Sequence, residues 1–346
     1  MVQTPAEVPA PDPVTGTGEA GSSGVARMTG SAGPAGASGA SRHPGDPEGP
    51  APVGTPPGAP RIPQDSVRLR LSVSYDGTDF SGWAHQPTRR TVAGVLLGEL
   101  TRVFRTVDNL TVAGRTDAGV HATGQVCHVD VPAAAWEALA PSIVRRLAGL
   151  LPGDVRVLAV EVAPEHFDAR FAALRRRYEY RVCDGPSGPA PLARRNTLGW
   201  PRPLDLEALS AASRGLLGEH DFAAYCKRRD GATTIRNLLR LDWRRDPDEV
   251  LVATVEADAF CHSMVRSLIG ALIAVGEGRR PVGWPGEQLT SAVRVDAVGV
   301  APAHGLTLVN VDYPAPGEYL ARMAVTRNMR ALTPQPPEVH AGPPAP

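Results

Sequence analysis

The chain has no long hydrophobic run: nowhere in its 346 residues is there an uninterrupted apolar segment long enough to span a bilayer, which excludes a helical membrane protein. Its start lacks the basic residues and continuous apolar stretch of a secretory signal, so a cytoplasmic protein is expected. Cysteine is scarce, and Cys127, Cys183, Cys226 and Cys261 form no paired spacing. Neither a zinc site nor a disulfide framework is indicated, and reduced thiols are expected. His121, His128 and His262 also lack metal-ligand spacing and read as structural histidines. A P-loop lysine pattern and a magnesium-binding carboxylate cluster are both missing, which argues against a phosphate-handling enzyme. No metal and no cofactor is expected.

Neither sign of charge prevails, since the formal net charge is +0 at pH 7. That balance at first argues against a nucleic-acid partner. It is uneven along the chain, however. Glu7, Asp12, Glu19, Asp46, Glu48 and Asp65 outnumber Arg27, Arg42 and Arg61 near the start, leaving the remainder mildly basic. The positive charge falls in runs: Arg175-Arg176-Arg177, Arg194-Arg195, Lys227-Arg228-Arg229, Arg244-Arg245 and Arg279-Arg280. Each run alone is the pattern of a solvated face, whereas several around one groove would track phosphates.

Residues 1–65 are rich in Pro, Gly, Ala, Ser and Thr without hydrophobic period. Such a segment buries too little to offset ordering entropy, so a disordered extension is expected. Residues 315–346 read as a second, Pro-rich tail that allows a short helix over 319–329. Between them two α/β lobes are expected, over 66–166 and 167–314. Val67, Leu69, Leu71 and Val73 alternate with polar residues, the mark of a half-buried strand. Val92, Leu96, Leu100, Val103 and Phe104 fall at helical spacing behind a capping Thr91. Strands near 109–114 and 123–130, a helix carrying Trp136, Leu139, Ile143, Leu147 and Leu150, and a strand over 155–162 complete the first lobe. The second repeats the order with a strand at 178–182, a helix at 204–217, strands at 235–243 and 250–255, a helix at 260–275 and a strand at 306–311. The pattern predicts two split-βαβ lobes whose antiparallel-rich sheets face a central cleft, with helices on the outer faces.

One segment stands out. Ala113-Gly114-Arg115-Thr116-Asp117-Ala118-Gly119-Val120-His121 sets a carboxylate in a glycine-flanked turn between two strand-like runs. Such a turn presents Asp117 to a ligand. Gly114 and Gly119 permit backbone angles or close approaches that a Cβ forbids, and Arg115 can hold a phosphate or keep the carboxylate ionised.

This nonamer resembles the catalytic loop of the tRNA pseudouridine synthases of the TruA type, and two further motifs extend the resemblance over about 65–313. Phe167-Asp168-Ala169-Arg170-Phe171 with Arg176-Arg177-Tyr178-Glu179-Tyr180 is similar to the second motif, and Phe260-Cys261-His262-Ser263-Met264-Val265-Arg266 to the third. Tyr75-Asp76-Gly77-Thr78-Asp79-Phe80-Ser81-Gly82-Trp83 matches the opening strand and loop, with Phe80 in place of the usual tyrosine and Ala84-His85-Gln86 in place of Gln-x-Gln. The resemblance implies that Asp117 is the nucleophile, that Tyr178 stacks on the target uracil, and that Arg266 pairs with Asp117. It implies RNA contacts at Arg170, to which Arg115, Phe167, Asp168, Ala169, Phe171, Lys227, Arg228 and Arg229 are added as expectations. It also implies a homodimer acting on uridines 38, 39 and 40 of the tRNA anticodon stem-loop. Moving C1′ from N1 to C5 of uracil involves neither redox change nor hydrolysis, in keeping with the expected lack of a cofactor. An aromatic face suits an extruded base, which has lost its stacking neighbours.

Without the resemblance, Phe260, Met264, Leu268 and Leu272 read as the core face of a helix with Arg266 off that stripe. Trp83 reads as packing. The rival reading of the whole chain is a catalytically silent RNA-binding protein of the same fold.

Overall fold

The computed structural model describes residues 62–227, 233–291 and 293–327. Most of the expected 1–65 extension, Arg228, Arg229 and the tail beyond 327 lie outside the described residues.

The alternation at the start of the first lobe becomes strand β1 (Ser66–Tyr75), with Leu69, Leu71, Val73 and Tyr75 buried. It pairs antiparallel with both β3 (His121–Pro132) and β4 (Val155–Val162), and β2 (Asp108–Val112) pairs with β3. Helix α1 (Val92–Phe104) starts where the Thr91 hydroxyl accepts the Gly94 N–H, and it buries Val92, Leu96, Leu100 and Phe104. The single helix expected around 136–150 is two, α2 (Ala133–Leu139) and α3 (Ile143–Leu150). Pro141 lies at the break, with no N–H to continue a helix.

The second lobe holds β5 (Arg175–Cys183), β6 (Leu198–Gly199), α4 (Leu206–Arg214), β7 (Gly218–Asp221), β8 (Ile235–Arg245), β9 (Leu251–Ala257) and α5 (Met264–Gly276). After them come α6 (Trp284–Glu287), β10 (Leu306–Asp312) and α7 (Tyr319–Arg327). Every residue of β9 is buried, as is all of α5 except Arg266 and Gly270. The short helix allowed by the tail sequence is α7.

The mixed α/β class is as expected, but the two facing sheets are not. All ten strands form one mostly antiparallel sheet, along the path β4-β1-β3-β10-β5-β9-β8-β7. Strand β10 joins the halves: it runs parallel to β3 through Thr307 with His121 and Leu308 with Ala122, and antiparallel to β5. Its insertion satisfies two strand edges that would otherwise expose unpaired backbone.

Two buried arginines brace this frame. Arg68 makes a bidentate pair with Asp130, Nε to Oδ1 at 2.7 Å and Nη2 to Oδ2 at 2.8 Å, and its Nη1 donates to the Phe167 carbonyl. Removing either partner would strand a buried charge at a cost of about 3–5 kcal/mol. Arg176, expected on a solvated face, is 6% exposed and donates to the carbonyls of Ala113, Arg170 and Asp258.

The cysteine expectation is corrected in part. Cys127 and Cys183 are free, whereas Cys226 and Cys261 form a disulfide with Cα atoms 5.8 Å apart. Their wide sequence separation hid the pairing. The fold brings the turn at Ala223–Tyr225 against the entry to α5, where the Lys227 N–H also donates to the His262 carbonyl at 3.1 Å.

Candidate active site

The Asp117 loop is held rigidly from below. Tyr75 Oη and Thr116 Oγ1 share a hydrogen bond of 2.8 Å, Gln125 donates to the Gly114 carbonyl at 2.8 Å, and the Trp83 N–H donates to the Thr116 carbonyl at 3.0 Å. Gly119 takes φ +78°, which a Cβ would resist. Gly114 needs no such freedom, because a Cβ there would meet only ordinary contacts. This scaffolding leaves the Asp117 side chain 27% exposed, facing the cavity it lines.

Three side chains from the far lobe converge on the carboxylate. His262 Nε2 lies 3.3 Å from Oδ1, the Ser263 hydroxyl donates to Oδ2 at 3.3 Å, and Arg266 Nη1 lies 3.9 Å from Oδ2. All three come from the entry to α5. The helix expected from Phe260 begins only at Met264, because Ser263 sits in the left-handed region at φ 63°. A strained non-glycine residue of this kind persists where its surroundings over-determine it, and such residues cluster at functional sites. The turn also carries Phe260 off the expected core stripe. Its ring meets Tyr178 edge-on, with centroids 5.2 Å apart at 90°. Arg266 is fixed at its other edge, where Nε donates to the Ala301 carbonyl at 2.7 Å.

Asp117, Tyr178 and Arg266 line one cavity of about 870 Å³, together with Arg115, Arg170 and Phe171. Tyr178 is 6% exposed. Burial, and after it the nearby Tyr75, pushes its phenol well above the ordinary range, so it is a neutral hydrogen-bond donor and not a base near neutral pH. Tyr75 is raised likewise, to about 12. Trp83 is buried and packs against Tyr75, as expected.

Other expected contacts are placed differently. Phe167, Asp168 and Ala169 are buried and do not line the cavity. They act as a mount: Asp168 Oδ1 accepts the N–H groups of Arg170 and Phe171, each at 2.8 Å, and thereby aims those two residues at the cavity. Lys227 is exposed but does not line the cavity. His121 and His128 are buried and structural, their Nδ1 atoms accepting the N–H groups of Gly77 and Ala169. His262 departs from the structural role expected of it, and Ser263 was not singled out. Their signal lay in the third motif, beside Arg266. Among the described residues, no group of three or more His, Cys, Asp or Glu side chains is placed to hold a metal ion, and no helix is long and apolar enough to cross a membrane.

A family model described as tRNA pseudouridine synthase matches residues 212–314, the part that supplies His262, Ser263 and Arg266. The chain is 59% identical over 265 residues to tRNA pseudouridine synthase A of Frankia casuarinae, covering 76% of this chain and 96% of that one. The chain belongs to that family. A second member, from Mycobacterium leprae, is 54% identical over 283 residues, covering 79% of this chain and 98% of its own. A solved Cbf5-Nop10-Gar1 complex aligns at 12% identity and a TM-score of 0.28, over 59% of this chain and 45% of the other, and carries no structural argument. Family membership therefore rests on sequence identity over nearly the whole length of the family's own members.

Proposed function

We propose that this chain isomerises uridine to pseudouridine in tRNA, at positions 38, 39 and 40 of the anticodon stem-loop, with Asp117 as nucleophile. One observation carries the proposal: a carboxylate from the first lobe meets His262, Ser263 and Arg266 from the second at the base of a cavity that also presents Tyr178. Binding at this junction organises both lobes around one base. The carboxylate adds to the uridine, at C6 of the base or at C1′ of the sugar. The bond from C1′ to N1 breaks, the enclosed uracil turns and rejoins through C5, and the bond to Asp117 breaks again, which frees the carboxylate. The C5 proton departs and N1 gains one, so the reaction is balanced without an external reactant. Tyr178 supplies an aromatic face for the extruded base. Arg266, held by Ala301, sets a positive charge 3.9 Å from the carboxylate as its ion-pair partner.

The same proposal takes the enzyme as a cytoplasmic homodimer whose lobes span 66–166 and 167–314, flanked by the 1–65 extension and the 315–346 tail. The acidic, apolar-poor extension offers phosphates no attraction, so a chain lacking residues 1–60 is expected to keep full turnover. Incubation with unmodified tRNA labelled with tritium at uracil C5 tests the activity. Tritium release, with pseudouridine mapped to positions 38–40, is expected; a tRNA that is bound but never loses tritium would leave the silent RNA-binding protein standing.

A further inference from the structure

Helix α7 has no part in the chemistry above, yet it forms part of the cavity wall. It is docked, not loose: Tyr319 and Met323 are 3% and 1% exposed, and the Tyr319 ring meets Phe167 edge-on with centroids 5.5 Å apart. Arg322, Thr326 and Arg327 line the cavity that holds Asp117. Arg322 ties the helix to the chain that leads into β5, donating to the carbonyls of Ala173 and Leu174 at 3.2 and 3.3 Å. Arg327 is exposed, and its guanidinium lies over the Phe171 ring, 5.1 Å from the centroid. Arg170 lies over that same ring, also at 5.1 Å.

Two guanidiniums gathered on one aromatic ring can hold an anion between or across them. The cavity wall favours an anion throughout. Arg115 and Arg236 line it as well, and among the described residues its carboxylates are Asp117 and Asp258. Asp258 Oδ1 is engaged by the N–H groups of Asn237 and Ala259. Arg170 and α7 therefore share the positive side of the wall with Arg115 and Arg236.

We propose that α7 is an RNA-binding element of this enzyme, in which Arg327, together with Arg170 and braced by Arg322, holds backbone phosphates of the strand that enters the Asp117 cavity. The inference rests on tRNA being the substrate. A phosphate-bearing strand fits better than an acidic peptide, because the wall is continuous with the place where a nucleotide must be received. Guanidinium groups suit phosphate oxygens through their planar fork.

The test is equilibrium binding of unmodified tRNA to the full chain between about 50 and about 200 mM salt. Each lost phosphate contact lowers the slope of log affinity against log salt by about 1. Arg327→Gln is expected to show that drop and weaker binding, whereas Arg327→Lys keeps most of the slope. Arg202→Gln is the charge control, since Arg202 is exposed, pairs with Glu277 and does not line the cavity. It should bind as the wild type does. An unchanged slope in Arg327→Gln, or an equal drop in Arg202→Gln, would overturn the proposal. Arg327 is exposed, so its replacement leaves the fold intact, and a matching melting temperature verifies that. Failure of the underlying function is distinguishable, because the wild-type chain would then release no tritium whether or not it binds tRNA.

Discussion

Arg266 grips two partners from different parts of the chain: its Nε donates to the Ala301 carbonyl at 2.7 Å while its Nη1 stands 3.9 Å from the Asp117 carboxylate. The guanidinium is thus positioned by the backbone and offers its remaining edge to the Asp117 carboxylate.

Arg266→Lys keeps the charge but cannot serve both partners with one ammonium. We expect at least about a tenfold loss in the single-turnover rate with saturating tRNA, equivalent to about 1.4 kcal/mol, and a larger loss in Arg266→Met. A rate that is unchanged while tRNA affinity drops would make Arg266 a phosphate contact instead.

Replacing Asp117 by Asn or Ala should abolish isomerisation and leave tRNA binding nearly intact. A single group is lost from a surface held mainly by phosphate contacts. Tritium release within about tenfold of wild type would remove Asp117 from the nucleophile's role.

Tyr178→Phe is expected to retain much of the activity and Tyr178→Ala little of it, since stacking uses the ring. Burial raises the phenol far above its ordinary range, so the wild-type rate between about pH 7 and about pH 9 should show no step from Tyr178 ionising. Equal, complete loss in both variants would point to proton transfer by the hydroxyl.

His128 makes stability depend on pH. Burial, and after it the nearby Arg68, lowers its pKa from 6.5 to about 4, and its neutral Nδ1 accepts the Ala169 N–H at 3.0 Å. The unfolded chain takes up a proton near the ordinary value while the folded chain resists, so this stability is present above about pH 6.5 and is lost as pH falls toward about 4. Melting temperatures across that window should fall less steeply in His128→Gln than in the wild type, although the variant melts lower at neutral pH. Parallel curves would remove His128 from the acid response.

Local features were legible where residue period and chemistry agreed. The alternation of Leu69, Leu71 and Val73 and the Thr91 cap specify β1 and α1 because both depend on near neighbours. The turn that presents Asp117 to the cavity was legible because it follows from short-range backbone rules. The misread features depend on distant partners. Helical spacing runs through Phe260 and Met264 without revealing the left-handed Ser263 between them, and so His262 and Ser263 went unnoticed beside Asp117. A motif's letters do not distinguish the buried Phe167, Asp168 and Ala169 from the Arg170 and Phe171 they support. The run Arg175-Arg176-Arg177 hides one buried arginine for the same reason.

Strand β10 bears on how the molecule is made. It is the last strand of the chain, and both of its neighbours come from sequence far upstream. A nascent chain emerging from the ribosome can form β1 to β4 early, and later the elements from β5 to α5, but the two halves of the sheet remain unjoined until Leu306–Asp312 is released. A product terminated before Leu306 would contain both Asp117 and Arg266 without the strand that joins their two halves of the sheet. The sheet on which Asp117 and Arg266 are set against each other is therefore completed only once Leu306–Asp312 is in place.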